Sequence, residues 1–353
     1  MNRLRPIALT KRQWFPALAA LMVGFAAILP GREMPLAAGE PAALPWWPDS
    51  PDAGADPRGT WVYLTAEFQV SFSTDALIDA SIAEMQAKQI DSIVVSLNPT
   101  QMSELSSAAS PTSVTLQRIV DQASARGMAT HVAYWEDEFT GSSAQMAMYT
   151  AVDNVIAFNS NNVLHADIAA VVSDFEMHGA NRTAQRFNQW RQFHWNLKKR
   201  IGPNGLKLIV ALPDPASLLN GCTTCSARWK AANGIGGADP DYTGDVAYFS
   251  SYNGHRFADA LMGLYYHSNA ATIQAAAHDD IVEGHSIGVP IIVAFSVGAN
   301  TIDPSLLTPA NVNDAVSRIE SERLAYPRGV AGTLAWRWDD PNDGDAEYRG
   351  TMP

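Results

Sequence analysis

Eight short apolar runs rich in β-branched residues alternate with longer amphipathic runs from Gly59 onward. This alternation predicts βα units and a parallel sheet. Eight such units over roughly 295 residues are typical of an α/β fold, a single (β/α)8 TIM barrel. Because the sheet of a barrel is closed, we expect its first and last strands to pair. The predicted strands are Thr60–Glu67, Ser92–Asn98, Ala129–Trp135, Ile168–Glu176, Lys207–Leu212, Asp245–Tyr252, Pro290–Ser296 and Gly332–Trp338.

The segments between these strands have helical periodicity. Thr74 is placed to cap the first helix and Gly127 to end the second. An open doubly wound sheet is the alternative fold, but it requires a glycine-rich phosphate loop after its first strand, and Ala66–Gln69 has no glycine. The predicted helices are Thr74–Gln89, Ser113–Arg126, Ala144–Asn159, Asn181–Arg200, Phe257–Tyr266, Ala271–Val282 and Asn311–Ala325.

The first 58 residues differ in composition from the predicted barrel. Basic residues precede an uncharged apolar run from Trp14 to Gly31, as in a signal peptide. We expect a signal peptide in residues 1–38, a Pro/Ala-rich linker in 39–58 and the catalytic barrel in 59–353. An uncleaved anchor is the alternative, since about 18 apolar residues can just span a bilayer. Both readings predict a secreted or periplasmic protein, with membrane contact only if the segment is retained.

The charge balance limits the partners of the barrel. The chain has 36 acidic and 24 basic residues, a formal charge of -12, and five of the basic residues lie in the first forty positions. An acidic body offers no surface for a phosphate backbone, so we expect no nucleic acid partner. The sequence has no His-x-His or His-Glu-x-x-His spacing for a metal. We therefore expect a monomer without a metal or other cofactor.

The two cysteines, Cys222 and Cys225, lie in one Cys-x-x-Cys segment. A structural zinc site needs about four ligands, and the chain has no second pair of cysteines. In an oxidising compartment this spacing favours a disulfide that closes a small loop. We expect that disulfide to lie more than about 10 Å from Glu176, because it serves to close a loop.

Polar and aromatic residues collect where the predicted strands end, which is where (β/α)8 barrels carry their active sites. Carboxylates can protonate a leaving oxygen, and flat rings stack on sugar faces. These residue types predict a carbohydrate substrate. The candidate substrate contacts are Glu67, Asn98, Trp135, Glu136, Asp137, Asp214, Asn253, Trp336, Trp338 and Asp339.

The fourth predicted strand carries the most specific pattern. In Ala169–Glu176 the side chains alternate between the two faces, so Asp174 and Glu176 point to the same side, about 6–7 Å apart at Cα. Two carboxylates this close raise the pKa of one of them, and that member can act as a general acid. The alternative is a structural role, with Asp174 capping a helix or paired with a basic residue.

At these residues the chain resembles glycoside hydrolase family 18, the chitinase and endo-N-acetylglucosaminidase group. The family motif on strand four is D-x-x-D-x-D-x-E. Its last two acids match Asp174 and Glu176, whereas its first two Asp are Ala169 and Val172 here. The resemblance implies that Glu176 is the general acid and that Asp174 orients the nucleophilic group of the substrate.

Two further segments are similar to that family. Tyr252 and Asn253 resemble its Tyr-Asp/Asn pair at the end of strand six, which implies that Tyr252 supports the reactive intermediate. Trp336 and Trp338 resemble its strand-eight segment, whose Trp floors the sugar pocket. Strand three lacks the S-x-G-G of the family. We therefore expect an exported glycosidase acting on a polysaccharide or glycoconjugate, including those with amino sugars. The alternatives are a non-catalytic carbohydrate-binding barrel and a metal-dependent hydrolase.

Overall fold

The structure is a computed structural model, and the part of the chain that it describes begins at Pro57. The predicted signal peptide, residues 1–38, lies outside the described residues, as does all but the last two residues of the predicted linker. No helix of the described part is long and apolar enough to cross a bilayer. The described residues are 57–64, 72, 74–136, 142–161, 164–175, 177, 182–236, 244–297, 307–308 and 311–336, with the backbone alone for Trp135 and Glu136.

Eight parallel strands close into a barrel, as the sequence predicts. Their order around it is β1-β10-β9-β8-β5-β4-β3-β2, and β1 pairs with β10 through Gly59 with Leu334 and Thr60 with Ala335. The expected closure between the first and last strands is confirmed. The barrel strands are β1 Arg58–Tyr63, β2 Ser92–Leu97, β3 Ala129–Glu136, β4 Ala170–Phe175, β5 Lys207–Pro213, β8 Ala260–Leu264, β9 Ile291–Ser296 and β10 Val330–Trp336. The short strands β6 Ser251–Tyr252 and β7 His255–Arg256 form a separate hairpin.

Helices follow the strands and surround the sheet. Thr74 caps α1, because its Oγ1 accepts a hydrogen bond from Leu77 N at 3.3 Å. Gly127 and Gly288 follow α3 and α9 with φ of 74° and 71°, a conformation that glycine adopts without steric cost. The helices are α1 Asp75–Ala87, α2 Pro99–Glu104, α3 Pro111–Ser124, α4 Ser142–Asn161, α5 Ala184–Ile201, α6 Pro215–Asn220, α7 Ala227–Ala232, α8 Asp245–Ser250, α9 Ala270–Ile287 and α10 Val312–Ala325.

The prediction of the sixth strand is wrong. Asp245–Tyr252 forms α8 and then β6, whereas Ala260–Leu264, inside the predicted helix Phe257–Tyr266, is the sixth barrel strand. Val246, Tyr248, Phe249 and Tyr252 are residue types that favour strands, so this segment imitates one. The true strand, Ala-Leu-Met-Gly-Leu, is apolar throughout and rich in helix-forming residues. A continuous apolar run has no period that separates a buried strand from a buried helix.

Two apolar cores result from the alternation of side chains along each strand. Small and medium side chains fill the barrel interior, among them Val94, Ala133, Val172 and Ile209. A larger core lies outside the barrel, between the sheet and the helices. Since β4 contributes Ala170 and Val172 to the interior, residues of the same parity on β4 face inward.

Candidate active site

Among the described residues of β4, Asp174 is the carboxylate, and it lies near the carboxyl-terminal end of the strand on the face that points into the barrel. It comes two residues after Val172, which faces the barrel interior, and it is half-buried. In the sheet register it lies opposite Trp135 of β3. His131 lies four residues before Trp135 on β3 and is fully buried in the barrel below Asp174. Burial lowers the pKa of His131 to about 3, so its imidazole is neutral at neutral pH.

The outward residues of β4 are held by α5. His194 is buried, which lowers its pKa to about 3, and its Nδ1 lies 2.9 Å from Trp190 O. A carbonyl oxygen only accepts, so Nδ1 carries the proton and Nε2 accepts from the hydroxyl of Ser173 at 2.9 Å. Trp190 Nε1 donates to Phe175 O at 2.9 Å. These bonds fix the direction of the strand and hence the inward position of Asp174.

An aromatic group that we call the aromatic wall lies at the barrel mouth around Trp336. It consists of Tyr63 on β1, Trp336 on β10 and Tyr266 just after β8. Trp336 Nε1 donates to the Tyr63 hydroxyl at 2.9 Å, and the Trp336 and Tyr266 rings stack with centroids 6.3 Å apart. Three barrel strands separate β4 from β10 in either direction, so Asp174 and Trp336 lie on opposite walls.

Two candidate substrate contacts serve as helix caps. Asn98 follows β2, its Oδ1 accepts from Gln101 N at 2.9 Å, and Gln101 Oε1 accepts from Asn98 N at 3.0 Å. Asp214 follows β5, and its Oδ1 accepts from the amides of Ala216 and Ser217 at the start of α6. Both residues lie at the expected rim, where each stabilises the helix that begins there.

Tyr252 and Asn253 lie at the other end of the barrel. They belong to the β6–β7 turn, which precedes β8 instead of following it. Arg256 of the same hairpin donates to Gly288 O, just before the amino-terminal end of β9. The prediction that Tyr252 and Asn253 end strand six is therefore wrong, because it rested on the misplaced strand. Tyr266 occupies the rim position after the true sixth strand.

The remaining candidates cannot be placed in the site. Trp135 and Glu136 end β3, and only their backbone is described. The other predicted residues lie outside the described residues. These are Glu67, Asp137, Glu176, Trp338 and Asp339.

Comparison with solved structures finds enzymes that share this barrel. A family 18 chitinase from Pseudoalteromonas aurantia is 14% identical, with a TM-score of 0.51 over 84% of this chain and 98% of the chitinase. An endocellulase from Pyrococcus horikoshii is 9% identical, with a TM-score of 0.54 over 82% of this chain and 86% of that chain. The chain has the fold of glycoside hydrolase barrels. No family model and no curated protein matches it.

The sequence analysis missed two members of the aromatic wall. Tyr63 lies inside the predicted first strand, before its predicted end, and Tyr266 is the last residue of a predicted helix, so neither was placed at the end of a strand. A correct placement of the sixth strand would have found Tyr266. In the described part of the chain, no group of three or more His, Cys, Asp or Glu side chains is arranged to hold a metal ion.

Cys222 and Cys225 form a disulfide with a Cα–Cα distance of 5.5 Å. The turn that it closes follows α6, and α6 in turn follows β5. The disulfide turn, residues 221–225, therefore extends from the same end of the barrel as Asp174.

Proposed function

We propose that the protein is an exported glycoside hydrolase that cleaves a polysaccharide or glycoconjugate, including those with amino sugars. Glu176 is the general acid, and Asp174 assists it. The observation that carries the proposal is the placement of Asp174 on β4 across the barrel mouth from Trp336 of the aromatic wall. Export rests on the N-terminal sequence pattern and on the disulfide.

The acid assignment follows from the direction of β4. Ala170, Val172 and Asp174 share one parity, and Glu176 continues it in the sequence. This parity predicts that the two carboxyls are neighbours, and a neighbouring carboxylate raises the pKa of the proposed acid, so that its proton is available for a leaving oxygen at neutral pH. A glycosidic bond needs this protonation because an alkoxide is a poor leaving group.

The aromatic wall provides the surface for a sugar ring. Tyr266 is 37% exposed, and Trp336 and Tyr63 are half-buried, so their rings remain partly accessible at the mouth. C–H faces of a pyranose pack on aromatic rings, while the opposite acid reaches the glycosidic oxygen. Fixing the Trp336 indole through Tyr63 reduces the entropy lost on binding.

The test is a screen for reducing-end release over a glycan panel, with EDTA controls. On an active glycan, Glu176→Gln should lower kcat by about 10² to 10⁴, the usual worth of general acid catalysis, and keep most binding. On an aryl glycoside with a good leaving group, Glu176→Gln should lower kcat by a smaller factor, because such a leaving group needs little protonation. Glu84→Gln on α1, outside the barrel, is the matched control and should keep full activity.

Three further variants separate this scheme from an inverting pair of carboxylates. Glu136→Gln, Asp137→Asn and Asp339→Asn remove the other candidate acids near strands three and eight. A true base at one of them would be as indispensable as Glu176. Full activity of Glu176→Gln on an unactivated glycan would refute the assignment. Binding without turnover across the panel would favour a non-catalytic carbohydrate-binding barrel.

A further inference from the structure

The backbone on both sides of position 176 is held by hydrogen bonds from Trp190 of α5 and from Arg182, which lies two positions before α5 begins. Phe175 O accepts from Trp190 Nε1, and Met177 O accepts from Arg182 Nε, each at 2.9 Å. Phe175 and Met177 are both buried. Together with the Ser173 to His194 bond, these contacts hold every second residue of the segment 173–177.

Arg182 is itself held by the disulfide turn. Its carbonyl oxygen accepts from Thr223 N at 3.0 Å, and Thr224 Oγ1 accepts from Ala184 N at 2.9 Å. Thr223 and Thr224 are the two residues between the bonded cysteines. The disulfide thus closes a turn that hydrogen-bonds to Arg182 and Ala184.

The Arg182 side chain lies closely over Gly221. A Cβ placed at Gly221 would come within 2.7 Å of Arg182 Nη1 and 2.9 Å of its Cδ. The backbone of Gly221 has φ of -75°, which any residue adopts. A side chain at position 221 would therefore require the Arg182 side chain to shift, although the backbone there would accept any residue. The fit indicates that this turn accommodates Arg182 in the position from which Nε reaches Met177.

We infer that Arg182, fixed by the disulfide turn, is a positioning residue for Glu176. The inference rests on the proposed function. Arg182 holds the carbonyl of Met177, which follows Glu176 in the chain, and so restrains the backbone that sets the distance between the proposed acid and the glycosidic oxygen. Proton transfer depends steeply on this distance, because a displacement of about 1 Å can cost about 10²-fold in rate.

Three variants separate the hydrogen bond from the bulk and charge of Arg182. In Arg182→Gln, Nε2 is separated from Cα by as many bonds as Arg Nε, so a donor is kept and the charge is lost. Arg182→Met has similar length and no donor. Gly221→Ala leaves Arg182 intact but displaces it. Arg186→Met is the control, since the Arg186 guanidinium donates to Gln189 of its own helix and, among the described residues, forms no bond to the segment 173–177 or to the disulfide turn.

Two measurements report on the anchor. For Arg182→Met and Gly221→Ala, kcat on an unactivated glycan should fall about 10- to 100-fold with little change in KM, and the loss should shrink on an activated aryl glycoside. Amide hydrogen exchange of the peptide that spans residues 174–182 should rise about fivefold or more. Arg182→Gln should recover most of both properties, and Arg186→Met should match the wild type.

The outcomes distinguish this inference from the proposed function. Unchanged exchange in Arg182→Met overturns the anchor whatever the activity. Raised amide hydrogen exchange together with an equal loss of kcat on activated and unactivated substrates also overturns the inference, because a merely structural role of Arg182 would slow the cleavage of both substrates. An inactive wild type, or a fully active Glu176→Gln, refutes the proposed function even where the exchange data show the Arg182 bond.

Discussion

At the scale of single residues, the Tyr63 hydroxyl is important because it accepts the hydrogen bond of the Trp336 indole. An indole with its N–H paired has one preferred orientation, and its face is set before a sugar arrives. Tyr266 stacks on that same ring from the side of β8. Three side chains from three parts of the barrel thus produce one aromatic surface, the one proposed to bind a sugar ring.

Tyr266 and Tyr252 give a direct test at this scale. Tyr266→Ala should raise KM for an oligosaccharide by about 10-fold, the equivalent of roughly 1.4 kcal/mol of lost ring contact. Tyr252→Phe should leave kcat and KM unchanged, because Tyr252 lies before the amino-terminal end of β8 and its ring contact with Arg191 survives. Steady-state kinetics on one substrate series is sufficient. A large loss in Tyr252→Phe with normal Tyr266→Ala would contradict the described sixth strand.

At the scale of elements, β4 and α5 form one unit through side chains that are fully buried. Trp190 packs edge-on against Phe249 and Phe257, so the indole that holds Phe175 O is itself fixed by the outer core. Removing one partner of such a buried hydrogen bond lowers the free energy of unfolding, because the other group stays buried without a hydrogen bond. The position of Asp174 is therefore determined by packing on the outer face of the sheet.

The disulfide gives the prediction at this scale. Replacing both cysteines, Cys222→Ser and Cys225→Ser, should lower the free energy of unfolding by about 2 kcal/mol, since the closed loop is very short. It should also lower kcat on an unactivated glycan, by less than Arg182→Met does, because Thr223 and Thr224 keep their contacts. Urea unfolding and kinetics would measure these effects. Reductant should mimic the change in the wild type and do nothing to the double variant.

The sequence predicted seven of the eight barrel strands and most of the helices that flank the sheet, because these strands are rich in β-branched and aromatic residues and these helices have caps or a helical period. It misplaced the sixth strand, since Ala260–Leu264 has no period and α8 is short. It found Asp174 because strand alternation is a local property. It missed Tyr63 and Tyr266, whose shared role arises from the closure of the barrel.

At the scale of the whole molecule, buried acids lie outside the barrel beside β8. Asp245, Asp280 and Glu283 come together there, and Tyr265 donates to Asp280. Burial, with the charges of the neighbouring carboxylates, raises the pKa of Asp245 and Asp280 far above the usual range. The Glu283 carboxylate accepts from the amides of Gly244 and Ala247 at the start of α8. The cluster thus holds α8 against α9 with protonated acids.

These groups predict where on the pH scale the fold is most stable. A carboxyl with a raised folded pKa contributes stability that is full below its ordinary pKa of about 4 and declines as pH rises, by about 1.4 kcal/mol per unit and per proton. His131 and His194 act in the opposite direction. Their folded pKa values of about 3 mean that the unfolded chain takes up protons first, so stability declines as pH falls below about 6.5.

The two effects oppose each other between about pH 4 and 6.5, and the free energy of unfolding should be maximal in that window. Urea unfolding at pH 4 to 9 would show it as a decline on the alkaline side. Asp245→Asn keeps the acceptor for Val246 N and a donor for Glu283, and it cannot ionise. The variant should be less sensitive to alkaline pH and more stable than the wild type at pH 8. A wild type equally stable from pH 6.5 to 9 would show that the cluster ionises without cost, and the buried acids would then have no part in holding α8.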